Sequence, residues 1–315
     1  MRQAAFSPNL SADLQQVEQI IHERTRARAA VISIAGSHLS PPDVPRLRAA
    51  LVLLAAQTAN YRLERVIHAA AAVELIHAAT QTHHDLVDEA ERRRSQPRVG
   101  PWNHGVALMV GDYLFALAAG EMALSPDPRV IIFFTEAVKQ ITEGILMPAA
   151  PLRPLEEGRA HHLERIGYTD AALIVAACKA GAAAAGADAE QIETLGRFGH
   201  ELGLALRLGD EVRDFTERNG STSPGATLRA GAVTLPLIFA ASLGDDARLI
   251  AALDSGDAAE QSWAIDEVRR HGLTPTRAEV LRCAEGARGL LARTPPGPGR
   301  EALARVADYA VQRAA

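Results

Sequence analysis

Apolar residues recur at helical spacing along nearly the whole chain. After Ser11, the residues Leu14, Val17, Ile20 and Ile21 fall on one helical face, which predicts a helix over 11–31. The stretches 44–59 and 62–90 continue the pattern. Further helices are expected at 104–124, 127–147, 168–186, 188–216, 232–243, 258–270, 276–292 and 299–313. Valine-rich alternating runs of the kind that form strands are scarce. Proline, glycine and serine punctuate the pattern at SQPRVGP (95–101), MPAAPLRP (147–154), NGSTSPG (219–225) and TPPGPG (294–299). None of these breaks is long enough for an interdomain linker, and no fixed-period repeat is evident. The expectation is a single all-α domain over residues 1–315, with about ten or more helices.

The longest apolar stretch, AALIVAACKAGAAAAGA at 171–187, raises the question of a membrane. Lys179 interrupts it and much of it is alanine, which contributes little to insertion, so it reads as a buried core helix and not a membrane span. With 48% apolar residues in 315, the chain can bury a sizeable core. A net charge of -5 argues against nucleic acid as the main partner. The two cysteines, Cys178 and Cys283, imply neither a disulfide framework nor a CxxC zinc site. The start of the chain lacks the basic-then-apolar layout of a signal peptide, so a soluble cytoplasmic protein is expected.

Two acidic clusters carry the candidate chemistry. In the first, Asp85 and Asp88 are spaced i, i+3 and His84 and Asp88 i, i+4, so each pair can point into one cleft. Arg92, Arg93 and Arg94 follow it directly. In the second, Asp210 and Asp214 are spaced i, i+4, with Glu211 between them. Each cluster follows a long, mostly apolar helical segment. Carboxylate pairs of this kind suit hard divalent cations, above all Mg²⁺, whose shell is completed by water and substrate phosphates. Arginine forks bind phosphate oxygens bidentately. The pattern alone indicates an all-α protein that binds Mg²⁺ and a diphosphate. Adjacent histidine pairs, His83–His84 and His161–His162, do not share a helix face and make no zinc chelate by themselves.

The order of motifs resembles that of the trans-isoprenyl diphosphate synthases, also called polyprenyl synthetases. ELIHAATQTHHDLVDEAERRRSQP (74–97) resembles the family's first DDxxD motif and its RRGxP segment. WNHGVALMVGDYLFALA (102–118) resembles the helix containing VGDYL, and GLALRLGDEVRDF (203–215) resembles FQxxDDxxDF. RAGAVTLPLIFA (229–240) resembles REGKxTLPLI, and RLRAALVLLAA (46–56) resembles the tail of GGKRxRPxL. These matches run in family order over residues 46–240. The resemblance implies a helical bundle around a central cavity, Mg²⁺ as cofactor, isoprenyl diphosphates as substrates, and a homodimer. In the family the two aspartate motifs hold Mg²⁺ around an allylic diphosphate, and isopentenyl diphosphate attacks the cation left when diphosphate departs.

Carried over residue by residue, the resemblance assigns metal binding to Asp85, Asp88, Asp210, Glu211 and Asp214. His84 stands at the first aspartate of the first motif. Neutral imidazole brings no negative charge and is a poor Mg²⁺ ligand, so that motif is degenerate. Asp88, Asp210, Asp214 and Arg207 are expected to carry catalysis. Arg46, Arg48, His77, Arg93 and Arg94 are expected to hold diphosphates. Pro45 replaces the lysine of GGK, and Thr169 and Asp170 replace the family's Lys-Thr pair. Arg207, in place of the glutamine of FQ, can restore some of that charge from one turn before Asp210. Gln81 and Thr82 are polar where the family is apolar; they either face outward or place a polar group near the cation. A small residue at Ala79 implies room for chains longer than farnesyl. Three functions are consistent with these departures: a divergent prenyltransferase, a terpene cyclase or diphosphate lyase, and a weakly active or non-catalytic subunit paired with an active homologue.

Overall fold

The computed structural model describes residues 10–26, 46–92, 104–216, 224–244 and 246–315; of these, 84–92, 104–106, 246, 254 and 255 are described by backbone alone. Every regular element among the described residues is helical. In chain order they are α1 (Leu10–Thr25), α2 (Leu47–Ala56), α3 (Leu63–Arg92), α4 (His104–Ala123) and α5 (Arg129–Leu146). Next come α6 (Leu155–Ile166), a π-helical turn (Gly167–Ala171), α7 (Ala172–Ala184), α8 (Ala189–Thr216) and α9 (Ala226–Arg229). The chain ends with α10 (Leu235–Leu243), α11 (Asp246–Ser255), α12 (Ala258–Glu267), a second π-helical turn (Val268–Gly272), α13 (Leu273–Leu291) and α14 (Pro298–Ala314). The all-α expectation holds.

The chain forms two compact units. The first takes Met1–Val138, Ala176–Leu195 and Thr294–Leu303; the second takes Lys139–Val175, Gly196–Arg293 and Ala304–Ala315. In the first unit, α3 packs against α1, α2 and α4. The sequence of α2, LRAALVLLAA, has no polar residue after Arg48, and Ala49 to Ala56 are all buried. Leu51, Leu53 and Leu54 are each fully enclosed, and burying a leucine side chain contributes about 1.5–3 kcal/mol. Alanines 69–72 of α3 are also fully buried, and their small size permits close helix approach.

In the second unit, α10 packs against α6, α11, α13 and the second π-helical turn. It starts at Leu235, three residues later than the apolar pattern predicts, because Thr234 is its extended N-cap and Pro236 lies in its first turn. Six of its residues are buried, Leu235 to Ile238 with Ala240 and Ala241. Gly272 permits the packing: a Cβ there would collide with the backbone of Pro236. The helices expected separately at 258–270 and 276–292 are continuous, since the chain passes from α12 through the π-helical turn into α13.

Two helices escape the apolar pattern. The buried residues of α6 are Gly158, His162 and Ile166, so its inward stripe contains one large apolar side chain. Helix α11 is short, and its Leu249 and Ala252 are its buried apolar residues. The continuous run Leu155–Ala184 is long and apolar enough to cross a membrane by length and composition, yet 67% of its apolar window is buried within the fold. It is a core helix, as its alanine-rich sequence implies.

Candidate active site

The first acidic cluster and the residues before it lie in the first unit. Helix α3 carries the first acidic cluster in its last turns. The side chains of His84, Asp85, Asp88, Glu89 and Arg92, and all of Pro45, Arg93 and Arg94, lie outside the described residues. Just before them, the His83 ring is seated on α4. Its Nε2 is 3.2 Å from the Leu108 carbonyl oxygen, to which it donates, and 3.6 Å from Asp112, and its ring centroid is 5.6 Å from that of Phe115. Any side chain at Gly111 would collide with that ring. The glycine of VGDYL is thus a seat for the residue that precedes the acidic cluster.

Ala79 is fully buried, whereas Gln81 is exposed, which matches an outward-facing position. The Thr82 hydroxyl donates to the Ala78 carbonyl at 2.8 Å, capping its polarity locally. Arg46 departs from its expected role. Its guanidinium donates to both carboxylate oxygens of Glu18, at 2.5 and 2.9 Å, and lies 3.6 Å from Glu74. Glu74 in turn accepts from the Ala49 N–H at 2.9 Å, satisfying an orphan donor in the first turn of α2. Buried in this network, Arg46 fastens α1, α2 and α3 together, its charge shared between Glu18 and Glu74. His77 is pushed down to about 3 by burial of its ring, then by the charges of Arg48 and Arg46. It is therefore neutral at physiological pH and offers a hydrogen bond without charge.

The second acidic cluster, at the end of α8, lies in the second unit. Glu211 is 2% exposed and fully engaged. Its Oε1 accepts from His162 at 2.9 Å and from Arg207 at 3.2 Å, and its Oε2 accepts from the Leu235 N–H at 3.0 Å. Burial alone would raise its pKa; the charge and hydrogen bond of His162, with Arg207 and the Leu235 N–H, outweigh burial and hold it down to about 2. Glu211 was expected among the metal ligands, but here its oxygens join α8 to α6 and to the start of α10. Asp214 is likewise committed. Its carboxylate accepts from the N–H groups of Ala226 and Thr227, both at 3.1 Å, and from the Thr227 hydroxyl at 2.5 Å. It caps α9 across the chain.

Asp210 is different. Its side chain is 47% exposed, and its neighbours are arginines: Arg313 of α14, in direct contact, and Arg213 at 3.9 Å. Arg207 lies one turn before it, 3.9 Å from Asp170 and bonded to Glu211. Asp170 foremost, then Glu211 and Asp210, raise the pKa of Arg207 against its burial, so it stays charged. The π-helical turn sets this pairing. It inserts the residue that brings Asp170 beside Arg207, while Thr169 is bonded to Asp170 at 2.6 Å. On the same stripe of α8, Leu204 and His200 lead into a cavity of about 380 Å³ lined also by Leu163, Tyr168 and Val175.

The polyprenyl synthetase family model matches residues 31–268. The chain belongs to this family. Component 2 of the heptaprenyl diphosphate synthase of Geobacillus stearothermophilus is 32% identical over 286 residues, covering 85% of this chain and 89% of that protein. A polyprenyl synthase of Caulobacter crescentus, solved with calcium and isoprenyl diphosphate, is 32% identical with a TM-score of 0.86, covering 97% of this chain and 96% of that one. A decaprenyl diphosphate synthase of Rhodobacter capsulatus is 30% identical with a TM-score of 0.87, covering 100% of both chains.

Membership of the polyprenyl synthetases implies a divalent cation, and the second cluster has one carboxylate suited to it. Among its three acids only Asp210 keeps a half-exposed carboxylate free of backbone capping. Mg²⁺ asks for one or two carboxylates, with water and substrate phosphates filling the rest of its shell. The donor set fits a hydrated cation at Asp210 and does not fit a closed protein cage. Sequence reasoning gave no role to His162, Asp170 or Arg313. His162 stood out as half of an adjacent histidine pair and Asp170 as one of two residues at the Lys-Thr position; Arg313 carried no signal.

Proposed function

We propose that this chain is a Mg²⁺-dependent prenyltransferase that elongates an allylic isoprenyl diphosphate with isopentenyl diphosphate. The observation that carries the reading is chain-long similarity to a polyprenyl synthase solved with a divalent cation and isoprenyl diphosphate. In the reaction the allylic carbon–oxygen bond breaks and diphosphate leaves. The isopentenyl double bond then attacks the allylic carbon, and one proton is lost. Asp210 is the metal anchor of the second motif, with Asp85 and Asp88 serving the first. Bound there, Mg²⁺ would supply positive charge against the departing diphosphate. Arg207, charged and held by Asp170 and Glu211, orients the same diphosphate. Arg48, Arg93 and Arg94 bind the isopentenyl and allylic diphosphates, and neutral His77 adds a hydrogen bond. Ala79, enclosed in the core, leaves room for a long prenyl chain.

The same reading places the protein in the cytoplasm as one functional domain that pairs with a second copy. Leu108 and Met109 of α4 and Ile131 and Ile132 of α5 are exposed, and such apolar side chains suit a protein partner. Assembly with a different polypeptide is a second reading, favoured by the similarity to a protein named as component 2 of a synthase.

The test is direct. Purified protein is incubated with Mg²⁺ and geranyl, farnesyl or geranylgeranyl diphosphate, with and without isopentenyl diphosphate. Longer diphosphates are expected only when isopentenyl diphosphate is present. Hydrocarbons or alcohols formed without it would mark a cyclase or lyase, and a folded but silent protein would mark a non-catalytic subunit. Separately, His84→Asp is expected to tighten Mg²⁺ binding by about tenfold or more, because it restores a charged oxygen ligand. Titration calorimetry checks this; unchanged affinity would show that His84 has a role other than a lost ligand.

A further inference from the structure

Helix α14 ends beside the second acidic cluster, within the same unit. Arg313, in its last turn, donates through Nη2 to Oδ1 of Asp210. Its guanidinium also lies 5.6 Å from the Tyr309 ring centroid, and Nη1 is 3.4 Å from the Tyr309 hydroxyl. Its Nε is buried with no partner among the described residues. The side chain is 24% exposed: its Nε is enclosed, while the Nη2 contact with Asp210 lies at the surface. Asp210 is its one anionic partner among the described residues.

This arrangement has an electrostatic consequence. A cation bound at Asp210 and the guanidinium of Arg313 would share one carboxylate. As the metal draws on that charge, Arg313 loses its compensation while remaining partly buried, with its Nε enclosed, which carries a cost. An anion arriving with the metal restores it, and a guanidinium beside a metal-bound carboxylate is within reach of phosphate oxygens on that metal. We propose that Arg313 is a diphosphate-binding residue: it passes from Asp210 to the substrate's diphosphate when a divalent cation takes the carboxylate. The inference rests on Asp210 as metal anchor. It makes cation and diphosphate binding mutually dependent, with Arg313 as the link.

Two binding experiments with opposite signs test this. Titration calorimetry with Mn²⁺ alone follows the site that Asp210→Asn removes. Arg313→Gln is expected to tighten that site about fivefold, because a competing ion pair is gone. A second titration, with inorganic diphosphate in saturating Mg²⁺, is expected to show binding about tenfold weaker in Arg313→Gln. Arg313→Lys, which keeps the charge without the fork, should fall between the two, and circular dichroism checks that each variant is folded. Unchanged diphosphate affinity in folded Arg313→Gln, or weaker Mn²⁺ binding, overturns the proposal. If Asp210→Asn binds Mn²⁺ as tightly as the wild type, the metal assignment itself fails, and that outcome is separate from any effect at Arg313.

Discussion

Asp210→Asn is expected to lower prenyl transfer on the order of a hundredfold to a thousandfold while leaving the protein folded. The substitution keeps the shape of the side chain and removes its charge. Its neighbours are Arg213 and Arg313, and half of the side chain meets solvent, so the lost ion pairs cost at most about 1 kcal/mol of stability. Chemistry bears the loss instead. Glu211 and Asp214 are bound to other groups, so no second acid in this cluster can take over the charge. Steady-state rates with farnesyl and isopentenyl diphosphates, compared with melting temperature, separate the two effects. A full rate in the variant would place the metal anchor elsewhere.

Glu211→Ala is expected to destabilise the fold by about 3–5 kcal/mol. Removing this carboxylate leaves His162 buried without its partner and strips the Leu235 N–H of its acceptor at the first turn of α10. Arg207 loses one of its two close anions and keeps Asp170. Urea unfolding measures the cost. His162→Leu combined with Glu211→Leu should be less damaging than Glu211→Ala, since replacing both members leaves no uncompensated charge. The pH dependence has a defined sign. The folded-state pKa of about 2 lies below the ordinary value of 4.5, so the stabilisation is complete above pH 4.5 and is lost as pH falls toward 2. Glu211→Ala should lose that part of the acid dependence. Equal stability of wild type and variant would contradict the network.

Those two acids are neighbours in sequence and were expected to share a task. Periodicity places Asp210, Glu211 and Asp214 on one helix and shows their chemistry. It cannot show that His162, 49 residues earlier, fills the space beside Glu211, or that Asp214 meets the N–H groups of a short helix 12 and 13 residues on. The same holds for Arg46. Its paired carboxylate, Glu18, lies 28 residues upstream, and nothing in RLRAALVLLAA points to it. The helices of the apolar core were legible because their spacing repeats locally. Helix α6 was not, since glycine and histidine form most of its inward stripe. The assignment of motifs to helices was legible; the division of labour among their side chains depended on partners distant in the chain.

The π-helical turn at Gly167–Ala171 also bears on how positions are matched between related chains. An extra residue in a helix of 3.6 residues per turn rotates everything beyond it by about 100°. Counting residues through such a turn therefore assigns the wrong face to each position that follows. Thr169 and Asp170 sit inside it, so a gap-free alignment pairs them with neighbours that point elsewhere if the related helix lacks the insertion. In this chain the rotation delivers a carboxylate to Arg207. Deleting one residue here would leave the composition almost unchanged, yet it would swing Asp170 out of reach and alter which cation the adjoining helix presents.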